Sequence, residues 1–250
     1  MPEFLLNGLS QMDVVILIIA SFVGSAMTAA FGVGGGAFLI TVMAGIMPAI
    51  ALIPVHGVVQ MGSNASRAAL SRHHLDKRRF LWFCAGALLA ALGCGFLIGA
   101  IDTQAIPLLI AVFVLWITWV PMPAIGLGRN APGLFTGGLL TTLASMLVGA
   151  SGPLVSAWLN KDAHNRWHYT ALFSSVMTFQ HLLKILVFGL VGFAFLAWLP
   201  LMLTMIVAGY FGTRLGLKLL GKWPESAFKT VYRLCLTLLA VRLIFHYVMS

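Results

Sequence analysis

Apolar residues run along this chain in blocks of roughly 20, the length a helix needs to cross a bilayer. The first block, Asp13 to Ala30, predicts a helix interrupted by Phe31-Gly32-Val33-Gly34-Gly35-Gly36. A short apolar segment, Ala37 to Met47, follows and stops at Pro48. Ala49 to Leu70 predicts a full span that ends in a basic loop, Ser71 to Arg79. Two further spans, Phe80 to Ala100 and Ala105 to Pro123, are joined by a turn at Ile101 to Gln104. The second half follows the same order. Pro132 to Val148 predicts a helix broken at Gly149-Ala150-Ser151-Gly152-Pro153, then come a short segment to Leu159 and a polar loop, Asn160 to Asn165. The spans Arg166 to Gly189, Leu196 to Leu220 and Ser226 to Val248 complete the chain, the last two joined by a turn at Lys222 to Glu225.

The halves read as a repeat. Gly36 aligns with Gly152 and Gly35 with Ser151; after a one-residue adjustment Asn64 aligns with His181, Ser63 with Gln180 and Arg67 with Lys184. Charge decides the direction of each half. Cations collect on the cytoplasmic side of membrane proteins, so the loop holding Arg72, Lys77, Arg78 and Arg79 belongs inside. Its counterpart, Leu190 to Trp198, carries no charge and belongs outside. Arg129, Lys161, Arg166, Lys218 and Lys222 then fall inside, and Glu3, Asp13 and Asp102 outside; Arg242 alone falls on the wrong side. The fold class expected is an all-α polytopic membrane bundle of two inverted-topology repeats, 1–123 and 132–250, joined by a linker at 124–131. Each repeat is a re-entrant broken-helix hairpin plus three spans.

Composition agrees. Apolar residues make up 60% of the chain, charged residues 8%, and mean hydropathy is +1.01, against about 25% charged residues in soluble domains. The net charge of +9 would suggest nucleic acid in a soluble protein, but here the cations flank apolar runs, so no nucleic-acid partner is expected. Met1 to Met12 lacks the basic region of a signal peptide. Cys84, Cys94 and Cys235 have no metal-ligand spacing and read as packed thiols. Trp82, Trp158, Trp198 and Trp223, near span ends, fit an aromatic belt, and Gly209, Gly212 and Gly216 a close-packing face.

Candidate chemistry sits at the breaks and on two polar faces. A non-helical stretch at bilayer depth leaves backbone groups unpaired at a cost of several kcal/mol each, so it persists only where protein, water or a ligand satisfies it. The helix that follows each break points free N–H groups at the midplane, where they suit an anion. His56, Gln60, Ser63, Asn64 and Arg67 recur at three- and four-residue spacing on one face of a span; Ser174, Thr178, His181 and Lys184 do so on its counterpart, beside Gln180. Arg67 and Lys184 are read either as anion guides or as side chains snorkelling to the interface. Arg214 and Lys229 read as interface anchors, with Arg233 deeper. All six acids lie at ends or in loops, so the interior is neutral to positive and favours an anionic substrate. His56 and His181 are the candidate proton carriers. No Ser–His–Asp set, H-E-x-x-H motif or paired carboxylates occur within spans, so neither an enzyme nor a cofactor is expected.

The segment Phe31 to Leu39 (FGVGGGAFL), Pro48, and Ser63-Asn64-Ala65-Ser66-Arg67 before a basic loop resemble the sulfite exporter TauE/SafE family of membrane transporters. The resemblance covers essentially the whole chain, although the second break has fewer glycines than the first. It implies transport of sulfur oxyanions, organosulfonates or related small organic anions, generally across a bacterial inner membrane. The expected substrate site comprises Gly34, Gly35, Gly36, Ser63, Asn64, Arg67, Ser151, Gly152, Gln180, His181 and Lys184, with alternating access as the mechanism and a passive anion channel or small-carboxylate carrier as the alternative. The partners expected are the anion and the lipid bilayer. The sequence leaves the transported anion, the direction, the coupling ion and a homo-oligomeric state open.

Overall fold

The computed structural model describes residues 8–98, 102–120, 127–159, 166–219 and 225–249, with side chains at 95–98 and 225–229 excepted. Linker residues 124–126, the polar loop at 160–165, Glu3, Lys161, Asp162, Lys222 and Trp223 lie outside these residues. Ten α-helices are present among those described: α1 Gln11–Phe31, α2 Gly35–Ala44, α3 Ala49–Ser71, α4 Lys77–Ile98, α5 Ile106–Trp119, α6 Ala131–Val148, α7 Gly152–Leu159, α8 Arg166–Leu190, α9 Phe195–Leu219 and α10 Glu225–Met249. The all-α class expected from hydropathy holds, and both breaks interrupt the helix where glycine predicts it.

Local chemistry sets the ends. Ser10 caps α1 in a reciprocal box with Asp13, and Asn130 caps α6 through the N–H of Gly133. The basic loop is shorter than its composition suggests. α3 continues through Ser71, residues 72–74 form one 3-10 turn, and α4 already starts at Lys77. Lys77, Arg78 and Arg79 therefore occupy a helix N-terminus, where cations oppose the dipole. Asp76 accepts the Arg79 N–H there at 3.1 Å, and the Arg79 guanidinium donates to the carbonyls of Gly128 and Leu159 at 3.1 and 3.3 Å.

At each break the chain folds back on itself. α2 returns along α1, with the Gly35 N–H on the Thr28 hydroxyl at 3.0 Å. α7 returns along α6, with the Trp158 indole N–H on the Gly133 carbonyl at 2.6 Å. Helices then pair across the halves. α1 lies along α9 in the same direction, Ser21 bonding the Met205 carbonyl at 2.7 Å. A Cβ on Gly212 would meet the Phe22 carbonyl, so the expected glycine face is a true close approach. α4 lies along α6 likewise, Gly86 against the Phe135 carbonyl and Gly138 against that of Phe83. α3 and α8 run antiparallel through the centre, and α5 and α10 antiparallel at one side, where the Trp119 indole bonds the Thr237 hydroxyl at 2.9 Å.

Among the described residues five helices are long and apolar enough to cross a membrane: α1, α6, α8, α9 and Thr230–Met249 of α10. The polar face of α3 lowers its hydropathy, and that face is buried: His56, Gln60, Ser63, Asn64 and Arg67 are all covered by protein. Exposed Leu, Ile, Val and Phe side chains dominate the outer surface of the other helices, as a lipid-facing surface requires. Cys84 and Cys94 are buried free thiols and Cys235 is a half-buried one. Two belt assignments are corrected. Trp198 is buried in the core with Met202 and Met205, and the Trp158 indole is spent on the Gly133 carbonyl within the second hairpin. Trp82 is exposed, as a belt residue should be.

Candidate functional site

Both breaks have the same construction. A glycine at positive φ ends the first helix of each hairpin, Gly32 at 89° after α1 and Gly149 at 79° after α6, and Gly34 at 112° precedes α2, conformations that residues with a Cβ rarely adopt. The first backbone bond of α2 is Phe38 N–H to Gly34 at 3.0 Å, and that of α7 is Val155 N–H to Ser151 at 2.9 Å. The N–H groups of Gly36 and Ala37, and of Gly152 and Leu154, precede those bonds and have no acceptor within their helices. Pro153 has no N–H to satisfy.

The two helix starts meet around one small internal cavity, with about 20 Å³ of space for the centres of water-sized groups. That is enough for about one such group. Gly34, Gly36, Ala37 and Thr28 line it from the first hairpin; Ala150, Ser151, Gly152 and Pro153 line it from the second. His56, Gln60 and Asn64 enter from α3, and Phe173, Met177 and His181 from α8. Six of these fourteen residues have polar side chains, the rest are glycine or apolar, and no carboxylate is among them.

His181 is the most distinctive member. Its side chain is 1% exposed, yet neither ring nitrogen has a hydrogen-bond partner. Buried imidazoles usually hold at least one partner, so this ring leaves a donor and an acceptor open at the cavity. His56 faces it edge-on with ring centroids 5.9 Å apart, and anchors through Nε2 to the Gly36 carbonyl at 3.0 Å.

The other expected residues divide by position. Gly34, Gly36, Asn64, Ser151, Gly152 and His181 line the cavity. Arg67 and Lys184 do not, and they do not snorkel either, being 2% and 0% exposed. Arg67 donates to the Asn64 amide oxygen and lies over the Phe173 ring at 5.7 Å, so it sits directly behind two lining residues. Lys184 donates to the Gly149 carbonyl at 2.8 Å, tying α8 to the end of α6 at the second break. Gln180 accepts from Ser151 at 3.0 Å and donates to Thr141 and Thr142 at 2.8 Å each. It orients a lining hydroxyl from behind. Ser63 turns away to Thr213 on α9 at 3.3 Å, and Gly35 packs against Gly24 and Thr28.

Four contributors escaped sequence reading as site residues. Thr28 holds the Gly35 N–H, and its signal is a hydroxyl one turn before a glycine break. Gln60 was legible on the polar face of α3. Phe173 and Met177 look like any core residues, since only tertiary packing turns them toward the cavity. Among the described residues no group of His, Cys, Asp and Glu is arranged to hold a metal ion.

No curated protein and no solved structure matches the chain. The model of the sulfite exporter TauE/SafE family matches residues 16–243, nearly the full length of the sequence, and the chain belongs to that family of membrane transporters.

Proposed function

We propose that the protein carries a small anion, sulfite, an organosulfonate or a related sulfur-containing anion, across a bacterial inner membrane by alternating access. The anion is held between the two broken helices. The single observation that carries this reading is the shared cavity, where two helix N-termini and the unpartnered His181 converge without any carboxylate. Gly36, Ala37 and Gly152 supply backbone donors, and Gln60 and His181 side-chain donors, while Ser151 and Asn64 line the cavity with their hydrogens on Gln180 and Gln60. Arg67 and Lys184 add positive charge from opposite ends, Arg67 toward the basic turn after α3 and Lys184 toward the uncharged end of α8. His56 and His181 are the groups available to move a proton with the anion.

Inverted repeats give the halves a way to move. The pairing of α1 with α9 and of α6 with α4 exchanges under a swap of the two halves, and the central counterparts α3 and α8 run antiparallel. A two-fold axis in the membrane plane accounts for both features, and it is the arrangement recurrent in transporters whose broken helices meet at the midplane. A cavity with room for about one water-sized group favours a carrier over a water-filled channel.

Uptake of labelled sulfite into proteoliposomes tests the reading. Wild-type protein should show saturable uptake and counterflow, and His181→Ala and Arg67→Ala should each reduce it while still inserting. Unchanged uptake in both variants would remove the site assignment, and flux without counterflow would favour a channel.

A further inference from the structure

A second, larger cavity lies between the C-terminal turn of α2, the N-terminal end of α5 and the last turns of α10. Its volume of about 490 Å³ falls within the range of roughly 300–1,000 Å³ typical of ligand pockets. Gln104, Arg242, His246 and Tyr247 face it, alongside apolar residues such as Met47 and Leu243. Among the described residues no carboxylate lines it. By the charge distribution this is the outer face, and Arg242 stands there against the positive-inside rule. A cation that topology does not account for, in a pocket of donors, calls for a function of its own.

We infer that this cavity is a second anion site, an outer vestibule that takes a small sulfonate or oxyanion with part of its hydration shell. Arg242 supplies the charge and planar donors suited to oxygen anions, and the Gln104 amide supplies a further polar contact. Size separates it from the central site, which has room for about one water-sized group and so admits only a stripped anion. α2 joins the two: Gly36 lines the central cavity, while Ala44 and Gly45 line the vestibule. A helix of ten residues spans about 15 Å, which is the distance over which the anion would shed water. The vestibule's place on the route rests on the transport reading above; its affinity for anions does not.

Charged thiol reagents test it on purified protein in detergent, without any transport. The probe position is Gly45→Cys, since Gly45 is exposed, has φ −86°, and its added Cβ would meet only ordinary contacts at 3.6 Å and beyond. Cys84, Cys94 and Cys235 are replaced by alanine. An anionic sulfonatoethyl methanethiosulfonate should react faster than its cationic trimethylammonium analogue, after normalising to a free thiol, and Arg242→Gln should lower that ratio about three- to tenfold. Methanesulfonate should slow labelling saturably with Arg242 in place and not in the Gln variant. A ratio indifferent to Arg242→Gln, or labelling that methanesulfonate never slows, would overturn the site. Protection by phosphatidylglycerol micelles but not by methanesulfonate would assign the pocket to a lipid headgroup and overturn it as a solute site. If sulfite uptake failed while this protection persisted, the transport reading would fall and the vestibule would stand.

Discussion

Burial and partnering, more than residue type, separate the polar side chains of this protein. His181 is buried without a partner, whereas Gln180, next to it in sequence, spends its amide on Ser151, Thr141 and Thr142. His181→Ala should therefore weaken apparent substrate affinity roughly tenfold to a hundredfold, the worth of a lost hydrogen bond to a charged group. Thermal stability should barely change, and concentration-dependent uptake beside a melting curve checks both. Lys184 presents the opposite balance. Its ammonium is fully buried and bonded to one carbonyl, so desolvation costs several kcal/mol while a single hydrogen bond returns less. Lys184→Met should leave melting unchanged or raise it, and abolish most uptake. A strongly destabilised but active variant would refute the assignment of Lys184 to function.

Helices α2 and α7 are too short to be stable alone and are held by what they pack on. Their glycines are not equivalent. A Cβ on Gly35 would collide with the Gly24 backbone, whereas one on Gly152 has nothing closer than 3.7 Å. Gly35→Ala should cost about 1–3 kcal/mol or more as overpacking and lower the yield of inserted protein. Gly152→Ala should fold normally and impair only transport, because the added methyl intrudes on the cavity. Fluorescence size-exclusion profiles beside uptake distinguish the two, and equal folding defects would refute the difference. The existence of these hairpins was legible, since a run of glycines inside twenty apolar residues cannot continue a membrane helix at no cost. Their closure was not, because it depends on the Thr28 hydroxyl and the Trp158 indole finding backbone partners within the hairpin.

At the scale of the whole molecule, the inverted topology we propose predicts the sidedness of its turns. Cysteine at His73, in the exposed 3-10 turn after α3, should react with an impermeant thiol reagent only after cells are permeabilised. Cysteine at Leu190, 89% exposed at the end of α8, should react in intact cells. Labelling of both from one side would exclude the inversion. Hydropathy alone determined the all-α class, the helix order and the places where helices break, because the bilayer imposes a length and forbids unpaired backbone. The scarcity of mid-span carboxylates was equally plain in the sequence. What only tertiary structure decided is which polar groups are spoken for: Arg67 leans on Asn64 and Phe173, Ser63 turns to α9, and Phe173 and Met177 turn to the cavity. Helical periodicity assigns a residue to a face, but the neighbour that face meets is set by the pairing of α3 with α8 and of each hairpin with the other half. Those pairings join residues from 49 positions apart, as Gly86 and Phe135, to 184 apart, as Ser21 and Met205, and no local pattern encodes them.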